Sequence, residues 1–163
     1  MDPFSVVCNS TWSSTYVSNL NRIYYLQKRA VRAVTNSHYR AHTAPLFSKL
    51  KILDIFQINT LDIAKFMFCY HNNLLPPLFL NLFMTNSHHT YDTRTAGTYR
   101  MHSCRTNIKK FTILYQGPRI WNCLPASTTN LSRFPTFKNS SRVFIKIVSE
   151  LVSAALLRSP YLI

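Results

Sequence analysis

The stretch FTILYQGPRIWNCLP, residues 111–125, decides whether the chain is helical throughout. From Phe111 to Tyr115 its β-branched and aromatic residues favour a strand. Gly117, one of only two glycines in the chain, offers a permissive corner. Pro118 suits the opening of a helical turn that carries Ile120, Trp121 and Leu124 inward and Arg119 outward, and Pro125 stops that turn. The expectation is a strand followed by a packing corner, a small β element in an otherwise helical protein.

The segments before this corner read as helices. SNLNRIYYLQKRAVRAVT, from Ser18 to Thr35, has Ser18 available as N-cap. On a helical wheel, Leu20, Ile23, Tyr24, Leu26, Ala30, Val31, Ala33 and Val34 span about 180°, while Arg22, Lys28, Arg29 and Arg32 gather within about 120° on the other side. Pro45 fits the first turn of a short helix through PLFSKLKI. Asp54 caps a longer helix, IFQINTLDIAKFMFCYHNN, that ends at Asn72-Asn73. Being apolar almost all round, that helix belongs in a core, with Phe66, Met67, Phe68 and Tyr70 as packing residues. Pro76-Pro77 begin a short turn through LFLNLF.

Between Thr85 and Lys110 the helical period gives way to polar turn formers, and Thr98-Tyr99 suggests short strands. From Phe137 to about Leu157 a less amphipathic helix follows. The expected fold is mainly α with a small β element (α+β), in three parts: a helical region over 1–84, a loop-rich region over 85–139 and a helical tail over 140–163.

Nineteen Lys and Arg against five Asp and Glu give a formal net charge of +14 and a pI near 10.1 in 163 residues. A field of that sign calls for an anionic partner, nucleic acid first and an anionic membrane surface second. No acidic residue lies between Phe4 and Leu53 to balance the basic stripe on the first helix, which favours phosphate contact there. The most apolar tail, Val143 to Leu157, is broken by Lys146 and Glu150 and is too short to span a bilayer, so no membrane is expected. The start, Met1-Asp2-Pro3-Phe4, lacks the basic n-region of a signal peptide, and an intracellular protein with reduced thiols is expected.

Several chemistries are excluded by residue type. A two-metal polymerase or nuclease needs clustered carboxylates; the acids here, Asp2, Asp54, Asp62, Asp92 and Glu150, are scattered. With two glycines, neither a P-loop nor a dinucleotide fingerprint exists. Cys8, Cys69, Cys104 and Cys123 form no CxxC pair. Cys69-Tyr70-His71 and His102-Ser103-Cys104, with His88-His89 between them, match no common zinc spacing. A Cys/His nucleophile oriented by Asp92 has its residue types but nothing local to join them. No catalytic residue, cofactor or metal is expected. In Tyr91-Asp92-Thr93-Arg94, Arg94 suits either a bidentate phosphate contact or an internal carboxylate pair.

Five blocks in order, NLNRIYYLQKRAVR, HYRAHTAPLFSKLKILDIFQINT, AKFMFCYHNNLLPPLF, YDTRTAGTYR and FTILYQGPRIWNCLP, resemble the C-terminal part, from the thumb onward, of reverse transcriptases of LINE-type (non-LTR, jockey-like) retrotransposons. The resemblance runs from about Cys8 to Asn139. It implies a thumb-like helical piece gripping template and primer, which matches Arg22, Lys28, Arg29 and Arg32, followed by a region with the Tyr91–Arg94 and Gly117–Asn122 blocks. In that family the polymerase carboxylates and the endonuclease lie upstream, so no catalytic residue carries over to this chain. Met1 to Val7 and the tail after Asn139 depart from the family pattern, and an incomplete domain is expected. The reading is a non-catalytic remnant of an RNA-directed DNA polymerase that binds RNA or DNA backbones through Arg22, Lys28, Arg29, Arg32, Arg94 and Arg119. The alternative is an interaction module or inert decayed fragment that folds against a palm domain and exposes Leu20, Ile23, Val31 or the Trp121 turn.

Overall fold

The computed structural model describes residues 14–86 and 97–158. Among these, α1 (Val17–Val34), α2 (Ala44–Leu50), α3 (Ile55–His71), α4 (Ile113–Cys123), α5 (Ala126–Thr129) and α6 (Phe134–Arg158) follow in order, with 3-10 turns at Pro77–Phe79 and Ile108–Phe111. The protein is mainly α. Helix α3 is the centre, and α1, α4 and α6 pack on it.

The reason lies in the composition of α3. Ile55, Leu61, Ile63, Ala64, Met67 and Phe68 are buried on several sides of it, so no single neighbour can cover it. Its start is built by a capping box: Gln57 N–H donates to Asp54 Oδ1 (2.8 Å) and Asp54 N–H donates to Gln57 Oε1 (3.1 Å). Its end is turned by Asn73 in the left-handed region (φ 54°), a conformation asparagine tolerates. Around Met67 and Phe68 the main core gathers Phe83, Tyr99, Trp121, Leu124 and Phe137. Phe137 stacks on Phe68 (centroids 4.3 Å apart) and on Trp121 (5.8 Å). A smaller cluster joins Leu53, Leu61 and Ile145.

Helix α1 is fastened by its middle. The Gln27 amide donates to the Leu53 carbonyl (2.9 Å) and accepts from Ile55 N–H (3.1 Å), one of the donors a helix start leaves unpaired. Leu20 and Val31 are buried beside it. Tyr24 packs edge-on against Phe56 (5.6 Å), and burial together with the nearby Asp54 charge pushes its hydroxyl pKa up.

The expected strand at Phe111–Tyr115 is not formed. Ile108–Phe111 is a 3-10 turn, Thr112 is extended, and α4 runs unbroken from Ile113 through Gly117 and Pro118 to Cys123. Strand preference is weak where no partner strand lies alongside, and the competing 3.6-residue pattern of Leu114, Gly117, Pro118 and Trp121 wins. Gly117 is therefore no corner. A Cβ there would lie 2.7 Å from Met67 Sδ and 3.3 Å from Phe83 Cζ, so its bareness lets α4 approach α3. It also spares the clash that a side chain before proline meets in helical backbone. Pro118, placed at a helix opening by the sequence, sits buried inside α4 instead.

The only β feature among the described residues is an isolated antiparallel bridge between Thr85 and Tyr99, with Arg100 N–H donating to Met84 O (2.8 Å) and Asn86 N–H to Thr98 O (2.9 Å). Here the expected short strands at Thr98-Tyr99 reduce to one bridge, which Gly97, at φ 78°, helps to turn. Ser18 is inside α1 and not its N-cap; Tyr16 holds the cap position and makes no side-chain cap bond. The final helix begins at Phe134, three residues before the expected Phe137, with Pro135 in its first turn, where a missing N–H costs nothing, and it runs as one helix past residues 139 and 140. No helix among the described residues is long and apolar enough to cross a membrane.

Candidate nucleic-acid interface

The basic stripe forms on α1, and its members differ in what they can offer. Arg22 and Arg29 are exposed. Lys28 folds back over the Tyr24 ring (4.0 Å to the centroid), and Arg32 Nε donates to the Ala41 carbonyl (3.0 Å). Two of the four expected contact residues are thus partly engaged within the fold.

The Arg32 bond has a second effect. After α1 the chain turns back through Asn36 in the left-handed region (φ 49°), and Ser37 N–H returns to the Arg32 carbonyl (3.0 Å). Ala41 N–H then donates to His38 O (2.9 Å), closing a turn with Tyr39 and Arg40 at its tip. The turn is therefore held at the C-terminal end of the stripe, and its exposed Arg40 extends the positive surface.

No carboxylate is free to neutralise that surface from the two aspartates among the described residues. Asp54 is committed to the α3 cap, and Asp62, buried, pairs with Lys65 Nζ (2.6 Å). Other positive side chains cluster elsewhere: Arg105, Lys109 and Lys110 are exposed ahead of α4.

Arg119 does not join the α1 stripe. It is exposed on α4 and borders an open groove of about 500 Å³ between α3, α4 and α6, with Phe56, Ile120, Phe144 and Val148 on its walls. Arg94 and the rest of Tyr91-Asp92-Thr93-Arg94 lie outside the described residues, as do Cys8, His88, His89 and, among the acids, Asp2.

The Gly117–Asn122 block has structural work. Trp121 is buried in the core, and the Asn122 side chain pairs with both backbone groups of Tyr99: it accepts from Tyr99 N–H (3.2 Å) and donates to Tyr99 O (2.8 Å). That amide substitutes for a neighbouring strand. His71 Nδ1 lies 2.9 Å from the Tyr99 hydroxyl, so this histidine is used in packing the loop. Among the described residues no three His, Cys, Asp or Glu side chains come together as a metal ion would require. Burial pushes the Cys69 thiol pKa up, away from the range of a reactive thiolate.

Sequence reasoning missed Tyr25 and Tyr39, which are 65% and 66% exposed. The signal was present for Tyr25: at 100° per residue it lies about 40° from Arg29 and about 20° from Arg32, inside the basic arc. Tyr39 had no such signal, because its place depends on the turn that Arg32 holds.

Comparison with family models, curated proteins and solved structures gives no match.

Proposed function

We propose that this chain binds RNA or DNA without sequence specificity through backbone phosphates, and that it is a non-catalytic thumb-and-downstream part of a LINE-type reverse transcriptase. The observation that carries the binding reading is the α1 face, where Arg22 and Arg29 are exposed while the two described aspartates are committed elsewhere, Asp54 to the α3 cap and Asp62 to Lys65. The origin rests on the five ordered sequence blocks. Purified chain supplied with template, primer, metal and nucleotides is expected to extend nothing.

Phosphate contact has a measurable signature. Neutralising about six phosphates of duplex DNA gives a log–log dependence of affinity on salt with slope near −5. Replacing Arg22 and Arg29 together by Gln is expected to flatten that slope by about 2, close to one per lost contact. Fluorescence anisotropy across a salt series checks both numbers. Salt-independent affinity, or no binding at low salt, overturns the reading.

A second reading is favoured by one observation. Ile23, Leu26 and Val34 are 38%, 62% and 75% exposed on α1, an apolar surface that suits a protein partner. The other markers of that reading, Leu20, Val31 and Trp121, are buried within the fold. Dye binding and self-association without any affinity for nucleic acid would establish it in place of the first.

A further inference from the structure

We infer that the outer face of α1 and the Tyr39 turn form a site for single-stranded nucleic acid, in which unpaired bases stack on the Tyr25 and Tyr39 rings while Arg22, Arg29 and Arg40 hold the phosphates. The inference deepens the proposed phosphate binding and rests on it.

Single exposed aromatics are ordinary on a protein surface. These two differ in their surroundings. On the helical wheel Tyr25 has Arg22 and Arg29 about 60° and 40° to one side, and Arg32 and Lys28 about 20° and 60° to the other. It is the central residue of the stripe, and nearly two thirds of it is open to solvent. Tyr39 stands at the tip of a turn with Arg40 Cζ 5.1 Å from its ring centroid and His38 packed at 4.6 Å. The Lys28 ammonium, 4.0 Å from the Tyr24 ring, is 5.8 Å from that of Tyr25. Cations therefore flank both rings, and the Arg32–Ala41 bond ties the second ring's turn to the helix carrying the first.

That arrangement selects among nucleic acids. Duplex bases are stacked on each other and paired, so they present no free π-face to a protruding ring; a duplex could use only the arginines. An unpaired strand offers both features at once, phosphates along its length and bases free to stack, and proteins that bind single strands without sequence preference combine a cationic track with aromatic platforms. From Tyr25 to Arg32 the helix rises about 11 Å, so the two platforms serve separate nucleotides of one strand. Every base has a π-face, hence no sequence preference is needed.

The full chain is to be titrated at low salt with three labelled probes of equal phosphate number: an oligothymidylate single strand, the corresponding duplex, and a strand whose residues lack bases. Oligothymidylate is expected to bind at least about 25-fold more tightly than the abasic strand, the product of two stacked bases at the lower end of the range. Tyr25→Ala and Tyr39→Ala should each weaken oligothymidylate binding by roughly five- to hundred-fold, the range for stacking one base. Both should leave the abasic affinity and the salt slope unchanged, and Tyr→Phe at either position should restore binding. Because both side chains are exposed, circular dichroism and the urea midpoint should match the parent chain. Equal affinity for base-bearing and abasic strands, or no loss in the alanine variants, overturns base stacking while the phosphate reading survives. Failure of all three probes to bind overturns both. Tyrosine-dependent binding to anionic lipid vesicles without base preference would reassign the face to a membrane surface and also overturn the inference.

Discussion

Tyr99 joins three parts of the molecule: its backbone pairs with the Asn122 amide, its hydroxyl meets His71 Nδ1, and its ring lies in the main core. Burial, reinforced by Tyr70, raises the pKa of its hydroxyl from 10.0 to about 12. An acid that is neutral when protonated and held above its unfolded value stabilises the fold below that unfolded value and loses its contribution as pH climbs toward the folded one. The urea midpoint should therefore hold steady up to about pH 10 and fall between about pH 10 and pH 12. Tyr99→Phe is expected to lower the midpoint near neutrality, through the lost hydroxyl partner, and to shrink that alkaline fall. An alkaline transition unchanged in the variant would assign the effect to other tyrosines.

Among the elements, α4 shows how close the sequence came to its structure. The Asp54 cap, the all-round apolar α3, the Asn72-Asn73 stop and the short Pro45 helix were all legible, because each depends on neighbours in sequence. The strand at Phe111–Tyr115 was misread because its β-prone residues have no partner strand, the corner because Gly-Pro is locally a turn signal, and only the presence of Met67 and Phe83 makes Gly117 a point of helix contact. Gly117→Ala gains up to about 1 kcal/mol of helix preference. Overpacking against a fully buried Met67 costs about 1–3 kcal/mol, and the residue before Pro118 pays a further steric cost, so net destabilisation is expected. In a Met67→Ala background the same change should cost less by at least about 0.5 kcal/mol, measured by a double-mutant cycle of urea denaturation. Additivity would place the strain elsewhere than at the α3–α4 contact. The candidate interface divides the same way: the basic arc of α1 was legible and Lys28 over Tyr24 is an i, i+4 contact within the helix, whereas the engagement of Arg32 and the seat of Tyr39 depend on the loop after it.

At the scale of the whole molecule, a formal charge of +14 acts on a compact body whose described aspartates are already committed. Self-repulsion is greater in the folded chain than in the expanded one, so screening should favour folding. Raising NaCl from about 20 to about 300 mM is expected to increase the urea midpoint, although the same salt should weaken the proposed nucleic-acid binding. A midpoint that falls with salt would mean that ion pairs outweigh repulsion. The placement of Phe137 has a consequence for biogenesis. Phe68 is covered by a ring that is about seventy residues further along the chain, and at 5–20 residues per second the ribosome needs roughly 4–14 s to supply it. Throughout that interval the central helix waits for the ring that covers it, so slow translation between the two segments would prolong the exposure of apolar surface and with it the aggregation hazard.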